Sequence, residues 1–448
     1  MKPITDATLA LIPIARPTFD MALAKQLSDQ VCSNLESVGL NIISPNTLIS
    51  NIDEIRDFAS SLADDPPDLL LILQSTFADS TMVLELAQSV DAPLLLWALP
   101  EERTGGRLRL NSLCGINLAG HSLTRAGYWY EYIYATPDDP AALEQVKTTL
   151  QAGHVRRLLR DARLGCVGQY PAGFDTCRFD RETLKQKLGV EVVEFDLAQI
   201  FQRIRSTNSD EIEAVAQKLE QTLENLSELD QAGVQGTLGT YLTLRQLANH
   251  ANLDGFAVRC WPEFFVELGC AACGAMSMLS NESTPCSCEA DLNGTLTQLI
   301  LQWLSGEPAF GSDLVSVDAE QDFAILWHCG LAPHSMADPA VTPKGTIHSN
   351  RQLPLLMEFT LKPGRVTLAR LSEATGEYRL VIGGGEVIQA PPSFSGTSAT
   401  LRFDRPSAEV LDIIMHEGLE HHISLTYGDH IPALLLLAKM LDIPVLRL

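Results

Sequence analysis

The chain is poor in basic residues: 32 Lys and Arg stand against 56 Asp and Glu, a formal net charge of −24. No basic stripe is left to neutralise phosphates, which argues against a nucleic-acid binder and against docking on an anionic membrane. No uninterrupted apolar run reaches the ~18 residues that a spanning helix needs. The richest stretch, 431–446, is cut by Pro432, Lys439, Asp442 and Pro444. An export signal is not expected, because Met1-Lys2-Pro3-Ile4-Thr5-Asp6 carries an acid before any apolar run and the run 9–15 is broken by Pro13. Ten cysteines among 448 residues are too sparse for a disulfide scaffold. They are expected as reduced thiols in a cytoplasmic protein.

Catalytic glycine motifs are also missing. Gly168-Gln-Tyr-Pro-Ala-Gly173 lacks the three-glycine dinucleotide pattern and the Walker lysine. No Gly-x-Ser-x-Gly nucleophile elbow occurs, so a serine hydrolase has no support. Gly383-Gly-Gly385 reads as a hairpin turn between strands.

What is present is globular. Hydrophobic residues make up 46% and charged residues 20%, and the length predicts two or three domains. Over the first ~100 residues, short apolar runs alternate with helical spacing. Strands are expected at 9–14, 40–43, 68–74 and 92–98, with helices at 18–38, 52–62 and 81–90 between them. That order predicts a parallel sheet covered by helices on both faces. The pattern restarts near residue 163 and predicts a second α/β domain. After about residue 310, strand-like runs recur at close spacing between Gly/Pro turns, which predicts an antiparallel sheet or barrel. The expected fold is two Rossmann-like parallel-sheet α/β domains, 1–155 and 156–312, followed by a β-rich barrel-like domain, 313–448. The basic segment Val155-Arg-Arg-Leu-Leu-Arg160 marks the first boundary.

Chemistry concentrates in 254–294. Glu263 follows a strand and a proline, which places it at a strand end where open α/β sheets bind ligands. Glu289 and Asp291 are two apart, so an extended backbone would aim both carboxylates to one face. Convergent carboxylates suit a hard cation or an acid–base pair. Solvated loop acids are the competing explanation in so acidic a chain. In Glu420-His-His-Ile-Ser-Leu-Thr-Tyr-Gly-Asp429, strand alternation puts His421 on an apolar, packing face and His422 on a polar one. His422 is therefore the expected ligand, with a pair of surface histidines as the alternative. His328, ending a strand, can reach a site or be a satisfied buried histidine. Cys270, Cys273, Cys286 and Cys288 offer a competing structural zinc set, although their final spacing is tight and buried thiols fit better.

Taken in chain order, several blocks resemble the L-fucose isomerase / L-arabinose isomerase superfamily. They are Ala15-Arg-Pro-Thr-Phe-Asp20, Gly165-Cys-Val-Gly-Gln-Tyr-Pro-Ala-Gly-Phe-Asp175, Gly233-Val-Gln-Gly236, Arg259-Cys-Trp-Pro-Glu263, Cys288-Glu-Ala-Asp-Leu-Asn-Gly294 and Trp327-His-Cys-Gly330. The ending, His421 to Asp429 and then Leu437-Ala-Lys-Met-Leu-Asp-Ile-Pro-Val445, is similar too. The resemblance implies a three-domain, metal-dependent aldose–ketose isomerase acting on an open-chain sugar through an enediolate. It implies Mn²⁺ or another divalent cation held by Glu263, Asp291 and His422, with Glu263 and Asp291 doubling as base and acid. Glu267 rivals Glu263, and Glu289 rivals Asp291. Gln235, His328 and Arg16 are implied to meet substrate, Arg16 in a neighbouring subunit's site of a homo-oligomer. A non-catalytic sugar-binding or regulatory protein on the same fold is the alternative.

Overall fold

The computed structural model describes residues 6–448. The start, Met1–Thr5, which bears on the export expectation, lies outside them. The chain forms two compact units. One runs to Leu158 and takes back Leu435–Asp442; the other holds Leu159–Leu434 and Ile443–Leu448.

The first unit contains strands β1 (Thr8–Ile14), β2 (Asn41–Ile43), β3 (Leu69–Gln74), β4 (Leu94–Ala98) and β5 (Tyr130–Tyr134). They form an all-parallel sheet in the order β2-β1-β3-β4-β5. The continuous apolar run Leu-Leu-Leu-Ile-Leu of β3 has a physical cause. Leu70 and Ile72 join the core on one face, and Leu69, Leu71 and Leu73 join the core on the other. A strand covered by helices on both faces has no polar side to show.

The second unit begins with β6 (Arg163–Val167), β7 (Glu191–Phe195), β8 (Gly255–Val258) and β9 (Cys286–Ser287). These make a parallel sheet in the order β7-β6-β8-β9. The helix Leu292–Ser305 follows and is buried from Leu292 through Leu304, so it is a core helix with no wet face. Thr295 Oγ1 donates to Phe256 O on β8 at 2.9 Å, and Thr297 Oγ1 accepts from Leu371 N at 2.9 Å.

Leu371 belongs to a closed barrel. Its strands are β10 (Phe310–Asp318), β11 (Phe323–His328), β14 (Gly364–Ser372), β15 (Arg379–Ile388), β16 (Thr397–Phe403) and β17 (His422–Tyr427), with the short β12 (Lys344–Thr346) and β13 (Leu356–Thr360) intervening in the chain. Antiparallel pairing runs β10-β11-β16-β15-β14-β17 and back to β10, so the six strands leave no free edge. β12 and β13 extend the sheet beyond β16, and β18 (Val445–Arg447) adds in parallel to β15. The middle sheet, the core helix and the barrel share one continuous hydrophobic core.

One turn expectation fails. Gly383–Gly385 lies inside β15, and the reversal before it occurs near Gly376, whose φ is +84°. The glycines answer to close approach. A Cβ on Gly385 would lie 2.5 Å from the Arg402 carbonyl oxygen, and one on Gly384 would strike the Arg365–Asp404 ion pair.

Candidate active site

The candidate site forms where the loops after β6, β8 and β9 leave the carboxyl edge of the middle sheet and meet the start of β17. Open α/β sheets bind ligands at that edge. Asp291 is the N-cap of the core helix and accepts from Gly294 N at 2.9 Å. A Cβ on Gly294 would run into that carboxylate, which explains the glycine. Asp291 also holds Arg370 of β14 through two contacts, Nη1 to Oδ2 at 2.5 Å and Nη2 to Oδ1 at 3.0 Å. Its Oδ2 lies 2.8 Å from His422 Nδ1. Asp291 is fully buried and Arg370 nearly so. Burial alone would raise the Asp291 pKa, but the Arg370 charge and the His422 hydrogen bond hold it well below the usual carboxylate range. Burial alone would lower the His422 pKa; Asp291, by hydrogen bond and charge, and Asp313 raise it.

Glu289 comes next to this pair by an unexpected route. The segment is not extended: Glu289 and Ala290 have φ of 59° and 54° in a 3₁₀ turn. Glu289 and Asp291 still reach the same imidazole, Glu289 Oε2 lying 3.9 Å from His422 Nε2. Glu289 Oε1 accepts from Trp261 Nε1 at 3.2 Å. Its Oε2 lies 3.2 Å from His421 Nε2 and accepts from Cys177 Sγ at 3.7 Å. The donor atoms of Cys177, Glu289, His421 and His422 all lie within 4.8 Å of one another. A carboxylate, two imidazoles and a thiol around one point fit a divalent transition cation. Burial, with the charges of Asp291 and Glu289, raises the Cys177 pKa far above the ordinary thiol value. A cation there would have to displace the thiol proton.

One of the two histidines departs from the surroundings expected of it, His421 lying exposed instead of packed on an apolar face. His422 is buried and faces Asp291, whereas His421 is exposed, with Nδ1 2.9 Å from Thr176 Oγ1. Strand alternation misleads because β17 begins only at His422, and its neighbours in a closed barrel are buried on both faces.

The other expected site residues are placed as follows. Glu263 pairs with Arg259, Oε1 to Nη2 at 2.7 Å, beside a cavity lined by Gly168, Gln169 and Asp196. Glu267 is exposed and lends only its carbonyl oxygen, to Arg205 at 3.1 Å. Gln235 is exposed on the helix Gln231–Ala251. His328 is buried with its ring 6.2 Å from that of His422, and its Nδ1 accepts from Cys329 N at 2.9 Å. Arg16 lies at the carboxyl end of β1 in the other unit, paired with Asp79 at 2.5 Å. All ten cysteines are free thiols, and among the described residues those of the considered zinc set do not belong to the metal-capable group.

Sequence reasoning gave no role to Cys177, Arg370 or Asp313. Asp313 sits opposite His422 across β10 and β17. Its Oδ1 is buried, 3.4 Å from His422 Nε2, without a hydrogen bond. A charged residue inside an alternating barrel strand was the available signal for both Arg370 and Asp313.

The chain is similar to known proteins over nearly its whole length. The family profile described as "Fucose/sulfoquinovose isomerase, N-terminal domain" matches residues 10–152. "L-fucose isomerase, C-terminal domain" matches 357–448. A sulfoquinovose isomerase from Priestia aryabhattai is 30% identical over 440 residues, covering 98% of each chain. One from Alkalicoccus urumqiensis is 31% identical over 442 residues, covering 98% of this chain and 99% of that one. One from Clostridium sp. (strain MSTE9) is 28% identical over 442 residues, 98% of each. The chain therefore belongs to the fucose/sulfoquinovose isomerase family of aldose–ketose isomerases.

Proposed function

We propose that this isomerase interconverts sulfoquinovose, an aldohexose with a sulfonate on C6, and the corresponding 2-ketose through an enediol. The substrate is that of the full-length relatives. The observation that carries the chemistry is the convergence of Glu289, His421, His422 and Cys177 at the carboxyl edge of the middle sheet, with Asp313 alongside.

Glu289, His421 and His422 would hold a divalent cation of the manganese class, with Cys177 as a fourth donor. When bound, it supplies Lewis-acid polarisation of the sugar carbonyl. Asp291 orients His422 and does not act as a base, since a carboxylate tied to Arg370 is too weak to accept a proton. Asp313, whose buried Oδ1 has no hydrogen bond, takes the C2 proton and returns it to C1. The proton lost from the O2 hydroxyl is delivered to O1, which completes the interconversion. Trp261 and Phe174, ring centroids 5.2 Å apart, wall the Glu289 side and limit water.

We also take the protein to be a cytoplasmic homo-oligomer. Support comes from its ten free thiols and from the habit of the family it belongs to. No helix among the described residues is long and apolar enough to cross a membrane.

The test is proton NMR of sulfoquinovose with enzyme and Mn²⁺ in D₂O. The expected result is the 2-ketose, with solvent deuterium appearing at C1 or C2. Saturable sugar binding without interconversion would overturn the proposal in favour of a binding protein.

A further inference from the structure

Arg351 is an arginine without an acid in a chain where acids outnumber bases 56 to 32. Its guanidinium carbon lies 4.9 Å from the Trp261 ring centroid and 5.0 Å from that of Phe265. Among the described residues, no carboxylate forms an ion pair with it. Its backbone is fixed by a tight turn: Arg351 N donates to His348 O at 3.2 Å, and His348 N donates to Leu353 O at 3.0 Å. The His348 ring packs edge-on against Phe265, centroids 5.2 Å apart. Two aromatic faces and a pinned turn thus hold a half-buried guanidinium in place with its donors unspent.

That position is tied to the candidate site. The indole under Arg351 donates its Nε1–H to Glu289 Oε1 at 3.2 Å. One ring therefore separates the guanidinium from the carboxylate around which the cation-capable group is built. A fixed planar fork of N–H donors matches a tetrahedral oxyanion, and stacking on aromatics keeps it ordered and poorly hydrated. An open-chain hexose whose C1 and C2 react at Glu289 carries its C6 substituent at the opposite end of the chain.

We infer that Arg351, clamped on Trp261 and Phe265, is the residue that selects an anionic C6 substituent, the sulfonate, over a neutral one. This rests on the isomerase function proposed above. The test compares kcat/KM for sulfoquinovose, 6-deoxyglucose and glucose 6-phosphate in wild type, Arg351→Met and Arg351→Lys. In Arg351→Met, the ratio of kcat/KM for sulfoquinovose over 6-deoxyglucose should fall about tenfold to hundredfold, the loss of a charge-assisted contact, and the fall should lie in KM. Arg351→Lys should restore part of the ratio. An unchanged ratio, or an equal fall for both sugars, overturns the inference. So does a wild-type preference for glucose 6-phosphate over sulfoquinovose that Arg351→Met abolishes. Wild type that converts 6-deoxyglucose and ignores sulfoquinovose instead defeats the proposed substrate, an outcome separate from the behaviour of the variants.

Discussion

Asp291 Oδ2 lies 2.8 Å from His422 Nδ1 while the same carboxylate grips Arg370 through both of its oxygens. The pair fixes His422 with its Nδ1–H on Asp291 and its Nε2 toward Glu289 and Asp313. Asp291 is therefore a structural acid as well as a positioning one. Asp291→Asn should destabilise the second unit by about 3–5 kcal/mol, because it leaves buried Arg370 with only the more distant Glu420 carboxylate, 3.8 Å from its Nε. Adding Arg370→Met should recover part of that loss. Urea unfolding of the two variants checks this, and a double variant no better than the single one would contradict it.

Glu289 and Glu263 should separate cleanly by mutation. Glu289→Gln removes a carboxylate that touches Trp261, His421 and Cys177, and should lower kcat by about 10²- to 10⁴-fold. Glu263→Gln breaks a partly exposed pair with Arg259, worth about 1 kcal/mol or less in stability, and should leave most of the turnover. Steady-state kinetics on one aldose decides. The reverse order would move the cation to the Glu263 side.

Cobalt substitution should report whether Cys177 is a ligand. A thiolate on Co²⁺ gives an intense near-ultraviolet charge-transfer band. Wild type should show it, and Cys177→Ser should lose it while keeping cobalt. His422→Ala should lose both, and Asp291→Asn should weaken metal affinity by about 10- to 100-fold through the imidazole it orients. Elemental analysis before and after chelation gives the stoichiometry. A band that survives Cys177→Ser would place the thiolate elsewhere.

Much of the scaffold was legible because it rests on local periodicity. The doubly covered β3 reads as an unbroken apolar run, and the closely spaced strands after residue 310 read as a barrel. The site was legible only in part, because it is assembled from turns. The left-handed backbone at Glu289 and Ala290 is not the extended segment that sequence spacing suggests. Motif order favoured Glu263, which pairs with Arg259, four residues earlier. Arg370 and Asp313 come from strands far away in sequence, and only barrel closure brings them to His422. Gly383–Gly385 misled for the same reason, since their glycines answer to neighbouring strands and not to a turn.

The acid limit of the first unit should be set largely by Asp68. This carboxylate has no exposed side-chain surface; it accepts from Thr8 N at 2.8 Å and from Arg157 Nε at 2.6 Å, and His154 Nδ1 lies 3.2 Å away. Burial pushes its pKa up, but the nearby His154 ring, the Arg157 guanidinium and the Thr8 N–H outweigh it and leave the pKa below the ordinary value. A folded-state pKa below the unfolded one stabilises above the unfolded value, near 3.9, and that stabilisation is lost as pH falls through the folded value. Urea midpoints followed by the fluorescence of Trp97 and Trp129 should therefore hold from neutral pH down to about pH 5 and decline below about pH 4. Asp68→Asn should be less stable at pH 7 by about 1.5–3 kcal/mol and should lack that limb. If the two proteins declined in parallel through the acid range, another carboxylate would be responsible.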